Sequence, residues 1–161
     1  MALAIGDPAP PFELPDTDGR TRPLSEDGKV AATVVVFTCN HCPYALAWHE
    51  RIAQVARDYA GKGVRVLAIN ANDAERYPRD SYEAMKERVA REDWPMPYLR
   101  DERQDVAHAY GARVTPDVFV LDRAHGVERV AQPERTLGRI VVVAVGSAAV
   151  AKPLLAVQHE H

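Results

Sequence analysis

The clearest pattern in the chain is a continuous apolar run, rich in β-branched residues, from Val30 to Phe37. Such a run is typical of a strand buried on both faces of a sheet. A second run extends from Val64 to Ile69. Between them, apolar residues recur at intervals of three and four from Pro43 until Gly61 and Gly63, which predicts an amphipathic helix. Its apolar positions are Leu46, Trp48, Ile52, Val55, Ala56 and Tyr59.

A strand, a helix and a strand within about forty residues form a βαβ unit, whose strands are parallel and whose crossover is right-handed. A second helix is predicted from Asp80 to Glu92, with Asp80 as the N-cap and Glu83 completing a capping box. A short helix follows from Arg103 to Tyr110. The strand from Val118 to Leu121 then turns back into a strand from Val127 to Ala131. These elements together predict an α/β fold.

Both ends of the chain differ from this central pattern. Residues 1–28 are interpreted as an extension, in which the prolines near residue 10 and the turn Asp16 to Gly19 predict a β-hairpin. Residues 123–161 form a segment of divergent character, in which Glu160 is the only acidic residue after Glu134. With 161 residues and no internal repeat, we expect a single domain over 1–161.

Composition excludes several functional classes. The chain is 47% apolar and 27% charged, with a formal net charge of -3, which is ordinary for a globular protein and provides no basic surface for nucleic acid. We therefore expect no nucleic-acid partner and no membrane partner. The first eight residues lack the basic flank and apolar stretch of a secretory signal, so we expect a cytoplasmic location. Cytoplasmic thiols are kept reduced, which favours catalytic over structural cysteines.

The two cysteines of the chain, Cys39 and Cys42, are separated by two residues at the predicted junction of strand and helix. A thiol at the first turn of a helix lies near unpaired N–H groups and the positive end of the helix dipole, which favour the thiolate. We expect Cys39 to be the nucleophile, as the more exposed sulfur with a lowered pKa, and Cys42 to resolve the mixed disulfide. A pair of inert cysteines is the simpler alternative.

Histidines near the cysteines suggest two further hypotheses. His41 lies inside the motif, where an imidazolium would stabilise the thiolate and raise the reduction potential. A metal carrier is the alternative, in which His49 would join His41 and the two thiols as ligands. Structural zinc usually takes two spaced ligand pairs, and the chain has no second cysteine pair, so the sequence assigns no metal residue.

Three segments resemble those of a known family: residues 37–44, 68–74 and 110–117. The chain resembles the thioredoxin-like superfamily, and within it the peroxiredoxin-like redoxins related to hydroperoxide reductase and thiol-specific antioxidant proteins. The resemblance implies a central mixed sheet flanked by helices. It also implies that Pro116 is in the cis form and packs against the dithiol, and that the backbone at Thr115 binds an extended substrate.

Together the motif and the resemblance predict a thiol-disulfide oxidoreductase that needs no cofactor. Its partners would be a disulfide-containing protein or small-molecule thiol and an unidentified electron donor. Tyr44, beside the dithiol, is a candidate substrate contact, whereas Trp48 is expected in the core. A peroxiredoxin-like peroxidase is an alternative, but Val36 occupies the place of the threonine that such enzymes carry before the cysteine corresponding to Cys39.

Overall fold

The computed structural model describes residues 3–25 and 30–131, so most of the divergent C-terminal segment lies outside the described residues. Two 3₁₀ turns, Ala60–Lys62 and Pro78–Asp80, accompany the regular elements. In chain order the strands and helices are β1 Glu13–Pro15, β2 Thr21–Pro23, β3 Ala32–Phe37, α1 Pro43–Tyr59, β4 Val64–Asn70, α2 Tyr82–Arg91, β5 Tyr98–Arg100, α3 Asp105–Tyr110, β6 Asp117–Leu121 and β7 Val127–Ala131.

Five strands form one mixed sheet in the order β5-β4-β3-β6-β7. Strand β3 is central and pairs in parallel with β4, which in turn pairs in parallel with β5. On its other side β3 pairs antiparallel with β6, and β6 pairs antiparallel with β7. The parallel βαβ unit and the final hairpin are therefore confirmed, and the sheet is the central mixed sheet that the resemblance implies. All six residues of β3 are buried, as the apolar run predicted.

Alternate residues of the central strands supply two separate apolar cores, one on each face of the sheet. On the first face, Val34 and Val36 of β3 pack with Trp48 and Ile52 of α1 and Met85 of α2. The opposite face is covered by the N-terminal segment and α3, whose members in this core are Phe12, Leu14, Leu24 and Tyr110. Helices on both faces leave the carboxyl ends of the parallel strands as the accessible edge for a site.

The N-terminal extension forms the predicted hairpin, because β1 and β2 pair antiparallel. Asp16, at the end of β1, fixes the hairpin to the edge of the sheet. Its Oδ1 accepts a hydrogen bond of 3.1 Å from the N–H of Tyr98, and its Oδ2 pairs with Arg22 at 3.0 Å. The extension is thus attached at the β5 edge, and its Phe12, Leu14 and Leu24 join the core on one face of the sheet.

Several local predictions were wrong. Helix α2 begins at Tyr82, and its N-cap is Ser81, whose Oγ accepts from the N–H of Ala84; Asp80 lies one residue too early. The short strand β5 was missed, because it has only three residues. Leu46, placed in the apolar face of α1, is 39% exposed. Within the described part of the chain, we find no helix that combines the length and the apolar character needed to cross a lipid bilayer.

Candidate active site

The cysteines lie where the central strand β3 leads into α1, at the carboxyl edge of the sheet. Cys42 is the N-cap residue of α1 with an extended backbone, and Pro43 occupies the first turn, where a missing N–H costs nothing. The N–H of Cys42 points back and donates to Cys39 Sγ at 3.3 Å. The helix start thus directs a backbone donor at the first sulfur, as the sequence predicted.

Both sulfurs also contact Thr115, from the loop that precedes β6. Cys39 Sγ lies 3.2 Å from Thr115 Oγ1, and the Cys42 thiol donates to the carbonyl oxygen of Thr115 at 3.3 Å. The peptide bond between Thr115 and Pro116 is cis, and Pro116 is buried. The cis proline implied by the resemblance is confirmed, and the structure brings the dithiol and this loop into direct contact.

The relative exposure of the two sulfurs is the reverse of what the sequence led us to expect. Cys39 is fully buried, with 0% of its surface exposed, whereas Cys42 is half-buried. Burial raises the pKa of the Cys39 thiol above its ordinary value of 9.0, and this effect outweighs the hydrogen bonds from Thr115 and from the N–H groups of Cys42 and His41. The prediction of a lowered pKa at an exposed Cys39 is therefore wrong.

A buried carboxylate that the sequence analysis placed at a helix cap is part of this site. Oδ1 of Asp80, which is 0% exposed, accepts from the N–H of Asn40 at 2.6 Å and from Nδ2 of Asn70 at 3.0 Å. Its Oδ2 accepts from Nδ2 of Asn72 at 3.1 Å and contacts Nδ1 of His41. Burial alone would raise the pKa of Asp80, but these hydrogen bonds hold it below its ordinary value of 3.8.

Behind the cysteines, Arg88 of α2 fixes the loop that carries them. Its Nη1 donates to the carbonyl oxygen of Cys39 and to Oδ1 of Asn40, both at 3.1 Å. Oδ1 of Asn40 also accepts from the hydroxyl group of Tyr98 at 2.8 Å. Because Arg88 and Tyr98 are buried, this loop is held by charge-assisted and neutral hydrogen bonds that water does not reach.

His41 and Cys42 face a cleft of about 320 Å³, which we call the Cys42 cleft. Its lining residues are Phe37, His41, Cys42, Ala71, Asn72, Tyr77, Gln104, Ala107, Ala112, Arg113, Val114 and Thr115. The ring of Tyr77 stacks on His41, with 4.3 Å between the ring centroids. Tyr44 is 60% exposed but does not line the cleft, whereas Trp48 is in the core as predicted.

One group of side chains in the described ranges, 3–25 and 30–131, has the spacing of a metal site. Ligand atoms of Cys39, His41 and Asp80 all lie within 4.8 Å of one another. However, each oxygen of Asp80 already has two hydrogen-bonding contacts, so a metal ion would have to displace several of them. His49, the fourth ligand considered above, instead stacks on Trp94 at 4.4 Å. The donor set therefore fits a hydrogen-bonded network better than a metal ion.

Comparison with known proteins agrees with this architecture. The model of the AhpC/TSA family matches residues 5–130. The chain belongs to the AhpC/TSA family. It is 28% identical over 131 residues to the curated thiol-disulfide oxidoreductase ResA of Geobacillus thermodenitrificans, covering 80% of this chain and 70% of that protein. The redoxin group to which the motifs pointed is thereby confirmed.

Solved structures of similar proteins share the fold of this AhpC/TSA member. An uncharacterized conserved protein from Geobacillus kaustophilus is 44% identical, with a TM-score of 0.77 over 80% of this chain and 69% of that one. A thioredoxin-like protein from Neisseria meningitidis, described as a putative thioredoxin, is 25% identical with a TM-score of 0.65, over 76% and 77% of the two chains. The thioredoxin-like fold is therefore confirmed.

The residues that sequence reasoning missed have little local signal. Asp80 and Arg88 lie about forty or more residues from the cysteines, and a helix pattern explains both without reference to the site. Asn72 was the exception, because it follows the carboxyl end of a predicted parallel strand, where open α/β sheets place ligands.

Proposed function

We propose that this AhpC/TSA protein is a thiol-disulfide oxidoreductase whose Cys39 and Cys42 alternate between dithiol and disulfide. The observation that carries the proposal is the contact of both sulfurs with Thr115, directly before the cis Pro116. A ResA relative that bears the name of this activity supports it. In one turnover a disulfide substrate gains two electrons and two protons, and the cysteine pair loses them.

The loop at Thr115 and Pro116 is proposed to contact the substrate. Its carbonyl group at Thr115 already accepts a hydrogen bond from a thiol, so it lies close enough to align a bound disulfide with the cysteines. Tyr44, exposed at the first turn of α1, would extend this contact for a protein partner. Disulfide-containing proteins and small disulfides are both substrates in this proposal. A separate thiol donor would restore the reduced pair, with the cytoplasm as the proposed compartment.

His41 is proposed to tune the redox equilibrium together with Asp80. A positive imidazolium near Cys39 favours the thiolate, while the charge of Asp80 opposes it. Replacing His41→Ala would leave the carboxylate uncompensated, so we expect a lower reduction potential. The matched control is His49→Ala, since His49 lies within α1 and stacks on Trp94. Equal potentials for His41→Ala and the wild type would remove the tuning role.

The direct test is a titration of the full chain in glutathione buffers of graded potential, with alkylation of the remaining thiols. We expect both cysteines to be oxidised together, as a two-electron couple. Insulin reduction, hydroperoxide consumption and copper binding are then measured on the same preparation. Oxidation of neither cysteine, or hydroperoxide consumption far faster than disulfide reduction, would contradict the proposal and favour an inert pair or a peroxidase, respectively.

A further inference from the structure

We propose that the Cys42 cleft binds a small disulfide that carries carboxylate groups, and that Arg113 on the cleft wall selects it over neutral and cationic disulfides. This inference rests on the proposed exchange activity and names the class of substrate for the same site. Three properties of the cleft carry it: its size and apolar walls, the charge that it presents, and the hydrogen bonds that hold its walls.

The size of the cleft suits a small molecule. Its volume of about 320 Å³ lies at the lower end of the range of about 300–1,000 Å³ that is typical of small-molecule sites. Its apolar lining residues are Phe37, Ala71, Ala107, Ala112 and Val114. A short aliphatic stem can therefore pack against these walls while the disulfide to which it is attached lies beside the cysteine pair.

The cleft presents a positive charge. Arg113 and His41 are its basic lining residues, and no aspartate or glutamate is among the described residues that line it. Arg113 is exposed, and within ranges 3–25 and 30–131 its guanidinium group has no hydrogen bond or ion pair, whereas those of Arg57 and Arg103 pair with carboxylates. Such a guanidinium group is free to form two parallel hydrogen bonds with the carboxylate of a ligand.

The buried carboxylate of Asp80 does not reverse this charge. It is 0% exposed, it contacts His41 from the interior of the protein, and both of its oxygens accept hydrogen bonds from the chain. In an ion pair of Asp80 with the imidazolium of His41, the two charges offset each other. Arg113 then supplies the net charge of the cleft.

The walls of the cleft are held in place by the protein itself. The carbonyl oxygen of Ala71 accepts a hydrogen bond of 2.7 Å from Nε2 of Gln104, and that of Asn72 accepts one of 2.8 Å from Nη1 of the buried Arg100. Thr115, on another part of the wall, contacts both sulfurs. A ligand therefore enters a preformed cleft, and little of its binding free energy is lost in ordering the protein.

The exchange reaction balances without a further reactant. One cysteine of the pair attacks a sulfur of the bound disulfide as a thiolate, a bond forms between the two sulfurs, and one half of the substrate leaves as a thiolate. The other cysteine then attacks this mixed disulfide, and the second half leaves. The substrate gains two electrons and the two protons that the cysteines lose. The products are two small acidic thiols and the disulfide of Cys39 and Cys42.

The test compares three disulfides of similar length: dithiodiglycolate, which is an anion, its neutral diamide, and the cation cystamine. Each is mixed in excess with the reduced full chain, and oxidation of the cysteine pair is followed by acid quenching, alkylation and mass spectrometry. Each rate constant is divided by that of dithiothreitol with the same disulfide, which corrects for the reactivity of the disulfide itself. We expect the corrected rate constant of the anion to exceed that of the diamide by about three- to tenfold, with cystamine slowest. Equal corrected rate constants, or a preference for cystamine, would overturn the proposal.

A substitution and added salt then test the role of Arg113. We expect Arg113→Gln to lose most of the preference for the anion. The matched control is Arg123→Gln, because Arg123 is also exposed but follows β6, at the opposite end of that strand from Thr115, so this variant should keep the preference. Sodium chloride should weaken the preference of the wild type, since salt screens exposed charges. Arg113→Gln with the wild-type preference, or a preference that salt does not change, would contradict the assignment.

Failure of the exchange activity has a different signature from failure of this inference. Without exchange, none of the three disulfides would convert the cysteine pair into an intramolecular disulfide, and both proposals would be wrong. If all three disulfides convert it with equal corrected rate constants, the exchange activity is supported and only the proposed class of substrate is overturned.

Discussion

Replacing Asp80→Asn tests whether the buried carboxylate stabilises the loop that carries the cysteines. The change conserves shape but leaves one acceptor oxygen where the wild type has two. If that oxygen faces the N–H of Asn40 and the amide of Asn70, the new NH₂ group faces Asn72 and His41. This NH₂ group then meets another donor, Nδ2 of Asn72, and the buried charge that strengthened all the hydrogen bonds is lost.

The magnitude follows from the number and environment of these hydrogen bonds. A buried hydrogen bond to a charged group contributes about 1.5–3 kcal/mol, and less where water can replace it. The contact with Asn72 is mismatched in Asp80→Asn, and it lies on the side of His41, whose side chain is 26% exposed. We therefore expect the free energy of unfolding at neutral pH to fall by about 2–4 kcal/mol.

The dependence on pH has a definite sign. Because the folded protein holds the pKa of Asp80 below 3.8, the ionised carboxylate contributes stability above that pH, and this contribution is lost as the pH falls through the folded-state pKa. Below pH 3.8 the free energy of unfolding of the wild type should fall by up to about 1.4 kcal/mol more per pH unit than that of Asp80→Asn. The difference in the free energy of unfolding between the wild type and Asp80→Asn should therefore become smaller in acid.

Urea unfolding followed by circular dichroism measures these free energies at several pH values. The matched control is Asp73→Asn, because Asp73 is exposed and its Oδ1 accepts from the N–H groups of Glu75 and Arg76, which an asparagine oxygen can also do. We expect the control to lie within about 0.5 kcal/mol of the wild type. The reasoning would be refuted if Asp80→Asn were as stable as this control. It would also be refuted if the loss in the free energy of unfolding of Asp80→Asn relative to the wild type were the same in acid as at neutral pH.

Three further substitutions test other parts of the site and fold. Thr115→Val removes the hydroxyl group that lies 3.2 Å from Cys39 Sγ and that lowers the pKa of the Cys39 thiol. We therefore expect the pKa of Cys39 to rise further, as measured by thiolate absorbance against pH, and an unchanged titration would contradict this. Arg113→Gln removes an exposed cation from the cleft wall, and should slow the reaction with anionic dithiobisnitrobenzoate about three- to tenfold but not that with neutral dithiodipyridine. Gly111→Ala should lower the free energy of unfolding by about 1 kcal/mol, because Gly111 ends α3 at a φ of 68°. The control Gly61→Ala should leave the free energy of unfolding unchanged, because Gly61 has an ordinary φ and open space at its Cβ.

The fold was largely predictable because its elements carry local signals. Burial of β3 on both faces requires the continuous apolar run from residue 30 to 37, and a one-sided α1 requires the spacing of three and four. The strand β5 was not predictable in this way. Its three residues are too few to show a period, and its position is set by pairing with β4 and by the hydrogen bond from its Tyr98 to Asp16.

The candidate site likewise has one part that the sequence predicts and one part that it does not. The sequence placed Cys39 and Cys42 at the junction of strand and helix, because that placement depends only on neighbouring residues. The role of Asp80 depends on donors from two separate segments, Asn40 after β3 and Asn70 and Asn72 at the end of β4, which only the folded chain brings together. A local rule therefore interpreted Asp80 as a helix cap, and the actual cap is the next residue.

Which sulfur is exposed is likewise a property of the tertiary structure. The spacing of Cys39 and Cys42 places both near the start of α1, and on that ground alone either could face a substrate. Arg88, which lies 49 positions after Cys39, fixes its carbonyl group, and Thr115, which lies 76 positions after it, covers its sulfur. Since both partners come from other elements, the burial of Cys39 depends on α2 and on the loop before β6. The motif by itself does not determine it.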